Sequence, residues 1–195
     1  MTNLALVAVV AYLAGGIPTA DWLAAAAGVD LRSGGSRNPG ANNARRLGGW
    51  GLAAKVLGVE VAKGAAIVVA ARSAAGDTAA LVAGFAAVVG NLANPWRRLR
   101  GGQGLGISAG VTLAVWPVAF LPALALIGIA VRLLHRSAPA TLITVAVYAA
   151  AAVGTQLVDG PTGWGVDPTA GLGWFGVFLA AALAPKQLRR LRSPT

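Results

Sequence analysis

Apolar residues run in six stretches, at 4–26, 51–71, 79–93, 105–132, 139–158 and 171–184, joined by short polar connections. A helix needs about 20 apolar residues to cross a bilayer, and fewer where the membrane thins. Stretches of this length in close succession leave little chain for a water-facing surface. Charge is correspondingly scarce: 11% of residues are charged and 56% hydrophobic, against roughly 25% charged in soluble domains. The chain reads as an all-α, polytopic membrane helix bundle forming one domain over residues 1–195.

The stretch 105–132 is too long for one ordinary crossing and holds Trp116-Pro117 near its middle. Proline lacks the helical hydrogen-bond donor, and tryptophan favours the membrane interface. The pair reads as a tight turn between two short helices, giving seven crossings; a single kinked helix would give six. Basic residues, which concentrate in cytoplasmic loops, decide the count. With seven crossings and the amino terminus outside, thirteen of the 16 lie on one side. They are Arg32, Arg37, Arg45, Arg46, Arg97, Arg98, Arg100, Arg132, Arg136, Lys186, Arg189, Arg190 and Arg192. The opposite side keeps Arg72, while Lys55 and Lys63 fall inside the second crossing. Six crossings would strand Arg132, Arg136 and the tail on the wrong side. The expected topology is therefore seven transmembrane helices, amino terminus outside and carboxyl terminus cytoplasmic. Met1-Thr2-Asn3 has no basic residue to begin a cleavable signal.

Cysteine is absent and His135 is the sole histidine, which removes thiolate chemistry and leaves no metal site. The net charge of +10 sits in membrane-flanking loops, so nucleic acid is not expected as a partner. Three polar segments could carry chemistry. The first, Arg32 to Arg46, mixes glycines that can form an anion-binding nest with Ser36, Asn38, Asn42, Asn43, Arg45 and Arg46. It also reads as a polar loop meeting anionic lipid heads. The second is Glu60 and Lys63, one helical turn apart within a crossing. Such charges must pair or line a cavity, either as a structural ion pair or with Lys63 as a phosphate contact oriented by Glu60. The third runs Gly90-Asn-Leu-Ala-Asn-Pro-Trp-Arg-Arg-Leu-Arg-Gly-Gly-Gln-Gly104, with arginines leading into glycines at a helix start, where an anion is favoured. Gly102-Gln-Gly-Leu-Gly106 follows no strand and is not a dinucleotide fingerprint. Gly106 and Gly110 have the spacing that lets helices approach closely.

In order and spacing these segments resemble the bacterial acyl-phosphate:glycerol-3-phosphate acyltransferases, the PlsY family. Gly16-Ile-Pro18 is similar to the family's G-S-I-P opening, and Ser36-Arg-Asn-Pro-Gly-Ala-Asn-Asn43 to its S-G-N-x-G-A-T-N loop. Glu60-Val-Ala-Lys-Gly64 resembles D-V-x-K-G, and Gly90 to Gly104 the G-H-x-x-P…K-G-G-K-G motif. The resemblance implies a fatty acyl group moving from acyl-phosphate to glycerol 3-phosphate, giving lysophosphatidate for phospholipid synthesis. The expected setting is the bacterial inner membrane, as a multi-pass protein among membrane lipids, with no cofactor. It further implies catalytic roles for Ser36, Asn38, Lys63, Asn91 and Gln103. Phosphate binding would fall to Gly35, Gly40, Asn43, Arg46, Arg100, Gly101, Gly102, Ser137 and Arg190.

Several positions depart from the family pattern. Asn91 stands for its histidine, Asn94 for its proline, Gln103 for the central lysine of G-G-K-G, and Asn42 for its threonine. The tail motif H-x-x-N-x-x-R-L is reduced to Ala184-Pro-Lys-Gln-Leu-Arg-Arg-Leu191, in which Arg190 and Leu191 match. These replacements leave a second reading open: a catalytically inactive relative that binds a phospholipid or acyl-phosphate. A small transporter, suggested by charges within a helix, lacks repeat symmetry and ranks last.

Overall fold

The computed structural model describes residues 3–192, and among these every regular element is a helix. In lipid the backbone must satisfy its own hydrogen bonds, which a helix does within one segment. α1 (Leu4–Gly16) is capped by the Asn3 side chain, which accepts from Leu6 N at 3.2 Å. The stretch 4–26 is not one continuous helix. It breaks at Ile17-Pro18, where proline can neither donate nor follow a helical residue comfortably, and resumes as the short α2 (Thr19–Ala26).

α3 (Ala41–Leu92) bends twice, at Gly49 (φ 77°, ψ −176°) and Gly76 (φ 79°, ψ −172°). That conformation is open essentially to glycine alone. The result is three helical segments, 41–48, 50–75 and 77–92. At the second bend Arg72 Nε binds Asp77 Oδ1 at 2.7 Å, and Asp77 Oδ2 accepts from Asp167 N at 2.6 Å, tying the bend to the loop ahead of the last helix.

α4 (Leu105–Val115) and α5 (Pro117–Leu134) are separate helices, with the break at Trp116 as the sequence led one to expect. The carbonyl of Val115, left free by the break, accepts from Val166 N at 2.9 Å. Trp116 Nε1 donates to Pro161 O at 3.2 Å, so the loop after α6 (Ser137–Leu157) seals this corner. α7 (Leu172–Arg192) closes the bundle.

The core joins α3, α4 and α7 through Val68, Val88, Ile107, Val111, Phe175, Leu179 and Leu183. Small residues set the closest approaches. A Cβ on Gly110 would lie 1.9 Å from the Val61 carbonyl oxygen, and one on Gly15 2.2 Å from that of Ala87. Three stretches, Leu4–Ala26, Pro117–Leu134 and Ser137–Leu157, are long and apolar enough to cross a membrane. Only 22%, 17% and 28% of their most apolar windows are buried against protein, so most of that apolar surface faces outward. Outward-facing apolar side chains are what lipid solvates and water does not.

Candidate functional site

The α1–α2 break and the middle of α3 meet at a buried ion pair. Glu60, 7% exposed, accepts from Lys63 Nζ at 2.8 Å and from the Thr19 hydroxyl on Oε1, and from Asn91 Nδ2 at 2.9 Å on Oε2. Lys63 Nζ also donates to Ile17 O at 3.0 Å, the carbonyl released by the break before Pro18, and to Thr19 Oγ1 at 3.2 Å. Each ion alone would cost several kcal/mol to bury, and pairing with full hydrogen bonding offsets this. Lys63 has all its donors engaged and stands one residue behind the cavity described below, whereas Glu60 and Asn91 line it.

The loop between α2 and α3 is folded around Asn43. Its Oδ1 accepts from Ser36 N at 2.8 Å, and its Nδ2 donates to Leu31 O at 2.8 Å and Gly34 O at 3.1 Å. Gly35 turns at φ 58° against that same Oδ1. Asn43 thus shapes the loop, with both ends of its buried amide engaged, and Gly35 supplies the turn against it. The loop is anchored from outside by Arg32, which grips Asp21 at 2.8 Å and donates to Arg100 O at 3.0 Å. Ser36, Arg46 and Arg100 have exposed side chains, and none of the three lines the cavity.

The glycine segment before α4 folds back on the end of α3. Gly102 N donates to Asn91 O at 3.0 Å, and a Cβ on Gly101 would lie 1.9 Å from that oxygen. Lys186, beyond the apolar stretch 171–184, reaches in from α7. Its Nζ donates to Leu92 O at 2.6 Å, Gly101 O at 3.1 Å and Gly102 O at 2.5 Å. Burial, with Arg189 and Arg32 adding like-charge repulsion, holds this ammonium below the usual lysine range. Next along, Gln103 Oε1 accepts from Arg190 Nη1 at 2.9 Å, and the same nitrogen lies 3.3 Å from Ser137 Oγ.

These groups surround the mouth of a cavity of about 550 Å³ that continues between α3, α4, α5, α6 and α7. The mouth is polar, with Asn38, Gly40, Asn42, Arg45, Asn91 and Gln103; the interior is largely apolar, with Leu105, Phe120, Ile127, Leu179 and Leu183. At its flank Trp50, Leu57 and Leu124 line the cavity while remaining 76%, 46% and 52% exposed on the outer surface. The Arg45 guanidinium lies 5.0 Å from the Trp50 ring centroid, a cation–π contact at the opening. No cluster of metal ligands occurs among the described residues.

Of the residues singled out in the sequence, Asn38, Gly40, Asn91 and Gln103 meet at the mouth. Lys63, Gly101, Gly102, Ser137 and Arg190 stand one contact behind. Sequence reasoning missed Thr19, Trp50 and the role of Lys186. Lys186 reaches partners 84 to 94 residues away, a pairing no local pattern announces.

The family model described as glycerol-3-phosphate acyltransferase matches residues 5–192. A glycerol-3-phosphate acyltransferase of Agrobacterium fabrum is 42% identical over 134 residues, covering 68% of this chain and 65% of that protein. Glycerol-3-phosphate acyltransferase 1 of Deinococcus radiodurans is 44% identical over 121 residues, covering 60% and 61%. The chain thus aligns with a little under two thirds of these relatives' lengths. In structure it is similar to PlsY, an integral membrane glycerol 3-phosphate acyltransferase, in its glycerol 3-phosphate form, with a TM-score of 0.80 at 22% identity over 97% of this chain and 90% of that one. The lysophosphatidic acid form of PlsY gives 0.76 at 23% identity, over 97% and 92%. Sharing that fold, and matched by the family model along all but its ends, this chain belongs to the glycerol-3-phosphate acyltransferase family.

Proposed function

We propose that this protein is a membrane acyltransferase that moves a fatty acyl group from acyl-phosphate to glycerol 3-phosphate, releasing lysophosphatidate and inorganic phosphate. The observation that carries this reading is a single cavity that joins a polar, cationic mouth to an apolar interior. A fatty acyl-phosphate has the same division, an anionic head on an apolar chain.

The chemistry asks little of the side chains. An acyl phosphate is already activated, so alignment and charge neutralisation account for most of the catalysis. The acceptor hydroxyl oxygen attacks the acyl carbonyl carbon, the bond from that carbon to the phosphate oxygen breaks, and phosphate leaves with the hydroxyl proton. The donor's own phosphate serves as the base. Glu60, the nearest carboxylate, is already held by Lys63, Thr19 and Asn91 and is suited to fixing Asn91 rather than to taking a proton. Asn38, Asn91 and Gln103 offer neutral donors at the mouth, while Arg45 and Arg190 supply charge. Ser36, Arg46 and Arg100 keep a role only if the loops close over a bound phosphate.

The same reading includes seven crossings in a bacterial inner membrane, with the site at the cytoplasmic face. It is supported by the seven helical segments of 11 residues or more (α1, 50–75, 77–92, α4, α5, α6, α7), α2 and 41–48 being shorter, and by the separation of Arg72, Asp77 and Asp167 from the basic site. Purified protein in lipid, given acyl-phosphate and glycerol 3-phosphate, should release lysophosphatidate. Binding of acyl-phosphate without transfer would leave it a catalytically inactive relative, and neither binding nor transfer would end both readings.

A further inference from the structure

Midway down the cavity the apolar wall is interrupted by hydroxyls. Ser108 and Thr112 line it from α4, and Thr141, Thr144 and Tyr148 from α6. Thr141 and Thr144 return their protons to their own helix, to Ser137 O at 2.8 Å and Ala140 O at 2.9 Å. Ser108 Oγ and the Tyr148 hydroxyl are different: both residues are 8% exposed, and neither oxygen has a hydrogen-bond partner among the described residues. Thr112 faces Tyr148 without completing a hydrogen bond. The Tyr148 ring is fixed by a tilted contact with Trp116, centroids 5.4 Å apart.

A buried hydroxyl without a partner is rare in proteins because it has lost water and gained nothing. Two of them, one on α4 and one on α6, both on the wall of one cavity, point to a partner that arrives with the ligand. At about 1.5 Å per helical residue, Ser108 lies roughly 8 Å below Gln103 at the mouth, and Tyr148 roughly 16 Å below Ser137 just behind it. A head held at the mouth would place the middle of its chain here. A plain alkyl chain would leave both hydroxyls unmet, whereas an oxygen on the chain would meet either.

We propose that Ser108 and Tyr148 form a polar station that selects acyl donors bearing a hydroxyl or keto oxygen near mid-chain. This rests on the acyl-phosphate reading of the cavity. The test compares acyl-phosphates of one chain length, either unsubstituted or carrying a single hydroxyl moved two carbons at a time. In wild-type protein kcat/KM should peak at two hydroxyl positions, a shallower one facing Ser108 and a deeper one facing Tyr148, each at least about five-fold above its neighbours, the effect of one buried hydrogen bond. The shallower peak should flatten in Ser108→Ala and the deeper one in Tyr148→Phe, each read as the ratio of hydroxylated to plain donor within the same protein. Transfer of every donor without positional preference, or peaks that survive their own substitutions, would overturn the proposal and assign the station to trapped water. Failure to transfer or bind any of the donors would remove the acyl-phosphate reading itself, and this proposal with it.

Discussion

Gln103 spends its carbonyl oxygen on Arg190 and turns toward the cavity with what remains, its NH2. Two effects are therefore joined in one side chain: it aims a guanidinium, and it donates a neutral hydrogen bond. A lysine here would add charge, and charge-assisted hydrogen bonds are worth about 1.5–3 kcal/mol against roughly 1 for neutral ones. Gln103→Lys should raise kcat/KM for the phosphate substrates by up to about ten-fold, because two anionic phosphates between the cations offset their repulsion. Gln103→Met should lower it, since it neither aligns Arg190 nor donates. Steady-state kinetics of the three proteins settles the order. Lys186 acts on the same segment from beneath. Lys186→Met removes the donor to three carbonyls, at a cost of about 1–3 kcal/mol. It should lower thermal stability and raise KM for glycerol 3-phosphate together, with Lys186→Arg in between. Residues of this kind explain why the site was only partly legible in the sequence. Asn38, Asn91 and Gln103 lie in recognisable segments and meet at the mouth. Ser36 and Arg46 lie in the same segments yet point outward, because Asn43 takes up the loop's inner space. Lys186 was countable as a basic tail residue, but its three partners depend on tertiary folding.

The helices were more legible than the site, and the reasons are local. Trp116-Pro117 ends a helix in any context, and the structure breaks there. Ile17-Pro18 carries the same signal, and the short helix expected after Gly16-Ile-Pro18 is α2, so the apolar stretch 4–26 is two helices. The bends at Gly49 and Gly76 could not be read, since most of the chain's 27 glycines sit in no such conformation. Gly110 is the element-scale test of packing. Its place against the Val61 carbonyl leaves no space for a methyl group, so Gly110→Ala must push α4 off α3. Overpacking of this kind costs typically 1–3 kcal/mol. Gly128, on α5, has open space around it, and Gly128→Ala should be neutral or slightly stabilising, as alanine is the better helix former. Thermal unfolding in lipid nanodiscs should separate the two variants clearly.

At the scale of the molecule, one end carries the basic loops and the cavity mouth, while the other is tied by Arg72, Asp77 and the loop through Trp164 and Asp167. A reporter fused after Thr195 should be active in the cytoplasm; activity only outside would invert the topology. The exposed flank formed by Trp50, Leu57 and Leu124 has a separate consequence. On the proposed acyl-phosphate reading, a chamber open along its side is filled from the plane of the membrane, not from the water above. Its occupancy then follows how many donor molecules there are per lipid, and the volume of the surrounding solution drops out. Adding inert lipid at constant donor would thin the supply in two dimensions and slow the protein, although the donor's concentration per litre stayed the same.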